Sequence, residues 1–124
     1  MTLRRLSVVQ WLGLLLGAGV WAAQHVTGFG ITQAACGAGG RGWAISYDEW
    51  QVALTAAAAA LVVGAQAASV GVLLGTRGAT YEDGPPPGRI RFFAIAALVA
   101  NVIFLAIILL DGVATILDTT CRQG

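Results

Sequence analysis

Three apolar stretches, Leu6 to Ala23, Val52 to Gly75 and Phe92 to Leu117, constrain this chain more than anything else in it. Each approaches or exceeds the roughly 20 residues that an α-helix needs to cross a ~30 Å hydrocarbon core. What remains of the 124 residues is too short for a separate soluble domain. The composition agrees: 57% of residues are hydrophobic, 10% are charged and the mean hydropathy is +0.78, whereas soluble domains carry about 25% charged residues. The expected fold is therefore an all-α membrane protein, one domain over residues 1–124. Its helices are placed at about 6–24, 47–75 and 90–117, with an outer loop over 25–46 and an inner loop over 76–89.

Arginine placement orients the helices. Arg4, Arg5, Arg77, Arg89 and Arg91 fall on one side of the expected membrane, and Arg41 and Arg122 on the other. By the positive-inside tendency the N-terminus is cytoplasmic and the C-terminus extracytoplasmic. The basic residues are all Arg, in a chain rich in Ala and Gly, which reads as a GC-rich bacterial coding bias. The expected location is thus a bacterial inner membrane. The first stretch also has the layout of a cleavable signal peptide, with Val20 and Ala22 at the specificity positions for cleavage after Ala22. Trp21, Gln10 and Ser7 suit a retained helix better, so three spans are expected.

Small residues point to close helix packing. Ala56, Ala60, Gly64 and Ala68 recur at every fourth position and form a smooth strip. The GxxxG spacings at Gly13/Gly17 and Gly71/Gly75 extend the same expectation. Ser46 followed by Glu49, with Ile45 facing Trp50, reads as a capping box with a hydrophobic staple that starts the second helix. Asp48 and Glu49 also suit the positive end of its dipole. In the inner loop, Asp83-Gly84 reads as a turn and Pro85 to Pro87 as a short extended spacer. Trp21, Trp43, Trp50 and Tyr47 at one side, with Tyr81, Phe92 and Phe93 at the other, read as interfacial aromatic belts.

The few polar groups within the spans are the candidate sites. Counting ~1.5 Å per residue from the cytoplasmic ends puts Gln66 and Asn101 at similar depth, so an interhelical amide contact is expected. The same count brings His25 and Asp111 together near the outer interface, as an imidazole–carboxylate pair of the kind that orients metal ligands. One His with scattered carboxylates falls short of a zinc site, and haem would need a second axial ligand from elsewhere. Cys36 and Cys121, the two cysteines, both face the oxidising side and predict a structural disulfide. Their spacing is far from CxxC, which disfavours redox catalysis.

Other matches carry nothing. Gly37 to Gly42 fits GxGxxG without a preceding strand, so nucleotide binding is excluded. Gln33-Ala-Ala-Cys36 lacks the aliphatic residue of a lipidation site. A net charge of +1 offers nucleic acid no basic surface. With no nucleophile–base pair, two-His metal site, CxxC or phosphate loop, an enzyme is not expected, nor is a bound cofactor. The leading expectation is a small accessory or interaction subunit of a larger membrane complex, embedded in lipid and packed on a partner membrane protein or on itself. The alternatives are a homo-oligomeric channel or small-solute transporter lined by Gln66 and Asn101, and a redox- or metal-associated subunit using His25.

Overall fold

The computed structural model describes residues 2–37, 44, 46–80, 82, 84–117 and 121. Among these the chain forms three α-helices and no strands: α1 (Leu3–Cys36), α2 (Tyr47–Gly75) and α3 (Pro87–Leu117). All three are long and apolar enough to cross a membrane. At ~1.5 Å per residue the 34 residues of α1 extend about 50 Å, well beyond a ~30 Å hydrocarbon core. Each helix packs on both of the others. The start of α1, the end of α2 and the start of α3 meet at one end, which carries Arg4, Arg5, Arg77, Arg89 and Arg91. The opposite end carries the Cys36–Cys121 disulfide.

The buried residues show why the helices associate. They run Leu6, Gln10, Gly13, Gly17 and Gln24 on α1, and Gln51, Ala58, Val62, Ala65, Ser69 and Val72 on α2. On α3 they are Gly88, Ile90, Ala94, Ala97, Asn101, Ile108 and Gly112. Apart from Gly88 to Ile90, the steps between them are three, four or seven residues, which gives one narrow seam along each helix, the pattern of left-handed helix packing. The rest of the surface is large and apolar, as with Leu12, Leu61, Val99, Ile103 and Leu110, all exposed. Such a surface is suited to lipid contact.

The seam is layered. Leu6, Val72, Ile90 and Ala94 form an apolar cluster towards the arginine end, and Ala58, Val62 and Ile108 form another towards the disulfide end. Between them lie Gln10, Ser69 and Asn101, all about 1% exposed. Gly13 and Gly17 let this polar layer close. A Cβ on Gly13 would collide with Ser69 Oγ, and one on Gly17 with Asn101 Oδ1.

Several sequence expectations are corrected. The segment placed in an outer loop from residue 25 is helical as far as Cys36, so α1 runs twelve residues past its expected end at 24. Gly and Thr have low helix propensity, but packing against the start of α2 overrides it. Gln51 Nε2 donates to Gly28 O at 3.1 Å, and Thr32 Oγ1 donates to the same carbonyl at 3.0 Å. Gly37, with φ 53°, then ends the helix, its N–H donating to Gln33 O at 2.9 Å. A positive φ is where glycine is favoured.

α3 begins at Pro87, not at residue 90. The three prolines are not an extended spacer: Pro85 and Pro86 form a turn, and Pro87 opens the helix. Proline suits that first position because its missing N–H would have no intrahelical partner. The Pro86 carbonyl accepts from Ile90 N at 3.1 Å. Ser46 does precede α2, yet its side chain makes no capping hydrogen bond, so the capping box with Glu49 does not form. Ile45 and its staple lie outside the described residues, as do Arg41, Trp43, Tyr81, Asp83 and Arg122. At the other end of α2, Arg91 Nη1 donates to Thr76 O at 3.0 Å and satisfies a terminal carbonyl.

The main correction concerns the small-residue strip. Ala56, Ala60, Gly64 and Gly71 face away from the bundle, and Ala68 is half-buried. A Cβ on Gly64 or Gly71 would meet nothing within 4 Å. Of the expected packing glycines, Gly13 and Gly17 are buried, while Gly75 is exposed, although a Cβ there would press on Leu6. α2 instead buries the seam of Ala58, Val62, Ala65 and Ser69, about one side of the helix away from the strip.

Candidate functional site

Polar chemistry gathers in two places along the seam. The first is the central layer. Asn101 Nδ2 donates to Gly13 O at 2.9 Å, across the α1–α3 contact that Gly13 and Gly17 open. Asn101 Oδ1 and Gln66 Oε1 have no hydrogen-bond partner in the fold, so the expected Gln66–Asn101 contact is not made. Equal depth does not fix azimuth: Gln66 sits beside the seam position of Ala65, not on it. Ser69 Oγ turns back to Ala65 O at 2.9 Å. Gln10 is the anomaly, being 1% exposed with both amide heteroatoms unpartnered. A buried primary amide without partners costs on the order of 1–3 kcal/mol, so Gln10 is a stability liability in the isolated chain.

The second place is at the disulfide end, where α1, α2 and α3 leave a cavity of about 200 Å³. Gln24, His25, Phe29, Gln51, Asp111 and Thr115 are among its lining residues. His25 Nδ1 stands 3.8 Å from Asp111 Oδ2, so the expected imidazole–carboxylate pair is brought together, at a distance beyond a direct hydrogen bond. His25 is largely exposed and stacks on Trp21, with ring centroids 6.1 Å apart. Trp21 in turn leans on Phe104, so it packs within the bundle in addition to any interfacial role. Gln24 and Gln51 are 5% and 4% exposed. Gln51 is spent on Gly28 O and on Thr32 Oγ1 at 3.4 Å, with Tyr47 Oη also 3.4 Å from that hydroxyl. Gln24 Oε1 has no partner.

The disulfide expectation holds: Cys36 and Cys121 are bonded, 85 residues apart in sequence. It ties the last turn of α1 to the segment after α3, closing the end of the bundle next to this cavity. Among the described residues no group of three His, Cys, Asp or Glu side chains is placed to hold a metal.

Gln10, Gln24 and Gln51 are the residues that reading the sequence passed over. Their signal was available in the seam period: Gln10 lies three residues before Gly13, and Gln24 and Gln51 lie seven residues, two full turns, from Gly17 and Ala58, where an amide is forced inward. Gly112, whose added Cβ would collide with Thr55, was passed over for the same reason.

No protein-family model, curated protein or solved structure matches this chain.

Proposed function

We propose that this protein is a small integral membrane interaction subunit, which packs on a transmembrane helix of a larger bacterial membrane complex and performs no chemistry of its own. The observation that carries the reading is the outward strip of α2. Ala56, Ala60, Gly64 and Gly71 are left uncovered by the chain's own helices, although small residues are what a close helix–helix contact requires. The same side of α2 continues into an apolar groove of about 670 Å³ against α1, lined by Ile31, Ala34, Trp50, Leu54 and Ala57 among others. A second apolar helix presenting its own small residues would fit along strip and groove together. The five arginines gathered at the other end support an N-in, C-out orientation in a bacterial inner membrane, with the disulfide on the oxidising side.

Affinity purification in mild detergent tests the proposal. A stoichiometric larger partner is expected, and it should be lost from Ala60→Leu/Gly64→Leu while the disulfide and helicity persist. Recovery of a monomer alone under cross-linking conditions would overturn it.

A second reading, a homo-oligomeric channel or small-solute transporter, is favoured by the unpartnered amide oxygens of Gln24, Gln66 and Asn101. It requires a symmetric oligomer and solute flux in proteoliposomes that Asn101→Leu abolishes. Three helices enclose little space, which places this reading second. The redox or metal reading rests on His25, beside which the fold brings a single carboxylate, Asp111.

A further inference from the structure

We propose that the cavity at the disulfide end is a binding site for a small, hydrogen-bond-donating organic cation: a primary ammonium or a guanidinium group held between Asp111 and Gln24.

Part of the hydrogen-bonding capacity around the cavity is already used. Gln51 Nε2 is engaged by Gly28 O and Thr32 Oγ1. Thr115 Oγ1 donates to Gly112 O at 2.8 Å, which leaves only its acceptor lone pairs for the cavity. Asp111 is not within hydrogen-bond distance of His25. Gln24 Oε1 is buried without a partner, on a side chain that lines the cavity and is 5% exposed. The spare capacity at the cavity is thus a carboxylate, an amide oxygen and a hydroxyl lone pair as acceptors, set against the ring N–H of His25 and the Gln24 amide N–H groups as donors, so the one full charge on offer is negative. An occupant must bring donors.

Charge points the same way. Asp111 is the one carboxylate among the lining residues, which include no Lys or Arg. Asp111 and Thr115 lie in the last turns of α3, where the helix dipole is negative, and Asp48 and Glu49 stand in the nearby first turn of α2. Phe29 adds an aromatic ring to the wall, a surface on which ammonium and guanidinium groups rest favourably. An anion would face the Asp111 carboxylate and the negative end of α3. A metal ion is disfavoured because only His25 and Asp111 are strong ligands here, too few for a closed coordination sphere. A volume of about 200 Å³ is many times what one water requires, so a molecule of several heavy atoms fits.

The ammonium group has two sources, a free amine in solution or the head group of an aminophospholipid, and one experiment separates them. His25 is the sole histidine in the chain, so its ring gives a single, assignable proton–carbon NMR signal beside the site. The whole protein, disulfide intact, is placed in nanodiscs of phosphatidylcholine, whose quaternary ammonium has no N–H donor. It is then titrated with ethylammonium chloride and with guanidinium chloride. A saturable shift of the His25 signal is expected with one or both cations at roughly millimolar concentration, the affinity available to so few heavy atoms.

Asp111→Asn, which keeps shape and removes charge, should weaken binding at least about tenfold, as a charge-assisted contact requires. Gln24→Leu should weaken it too, whereas Val99→Ala, on the exposed apolar surface of α3, should leave it unchanged. Circular dichroism and the intact disulfide verify that each variant is folded. In nanodiscs containing phosphatidylethanolamine, a signal already shifted before titration assigns the lipid head group, and one that still titrates assigns a free solute; both uphold the site. The proposal is overturned by no saturable shift with either cation, by an equal response to sodium chloride or sodium acetate, or by an unchanged response in folded Asp111→Asn.

Discussion

Asn101 and Gly17 show how much one contact decides in a seam this narrow. The amide reaches Gly13 O only because Gly17 has no side chain, and Asn101 Oδ1 lies where that side chain would be. Gly17→Ala therefore forces the amide aside, and is expected to destabilise the bundle by about 1–3 kcal/mol, the usual cost of overpacking. Gly64→Ala faces open space and should be neutral or slightly stabilising, by up to about 1 kcal/mol, because alanine is the better helix former. Reversible unfolding in mixed micelles would measure both. If Gly17→Ala were as well tolerated as Gly64→Ala, the close approach at Gly17 would be wrong. The same measurement separates Asn101 from Gln66. Since the two do not bond, Gln66→Ala and Asn101→Ala should combine additively to within about 0.5 kcal/mol. A larger coupling would restore the contact that equal depth suggested. Depth was legible because residues can be counted along a helix; azimuth was not, because it depends on which side the neighbouring helices take.

At the level of elements, the three spans were legible because a run of apolar residues leaves a chain little choice but helix. Their ends were not legible, because ends are decided by partners. Nothing local in Val26 to Ala35 announces helix. What holds it is Gln51 on α2, donating to Gly28 O and Thr32 Oγ1, with Tyr47 Oη close to the same hydroxyl. Gln51→Leu preserves volume and removes both donations. Backbone amides from Gly28 to Cys36 should then exchange with solvent faster by about tenfold or more, corresponding to at least ~1.4 kcal/mol of lost local stability, while amides from Leu6 to Gly17 stay protected. Uniform loss of protection along α1 would show that these contacts are incidental and that the helix stands or falls as one unit. The α2 strip makes the complementary point. Its small residues read as a packing device, but the chain's own seam uses Ala58, Ala65 and Ser69 instead and leaves the strip to the outside.

For the molecule as a whole, the Cys36–Cys121 bond is the one covalent constraint that spans the sequence, and its effect follows from where it closes the chain. In the chain-entropy picture, a loop of 85 residues gains about 4 to 5 kcal/mol from the cross-link. That figure assumes a denatured state free to explore space. In a bilayer the opened state keeps its helices, since no water is present to take their backbone hydrogen bonds, so far less entropy remains to be removed. Cys36→Ser/Cys121→Ser should accordingly lower stability by less than that sum and leave helicity by circular dichroism unchanged. The loss should be local: α1 beyond Gln24 should gain exchange, and His25 should separate from Asp111, because the bond fastens the last turn of α1 beside the end of α3. The central layer around Asn101, far from the bond, should keep its protection. The compartment is tested in the same protein. If the N-terminus is cytoplasmic, both sulfurs face the oxidising side, and protein alkylated in intact cells before extraction should show neither cysteine labelled unless it is first reduced. Free thiols in cells would overturn the proposed orientation, under which the disulfide end and its cavity lie at the outer face of the membrane.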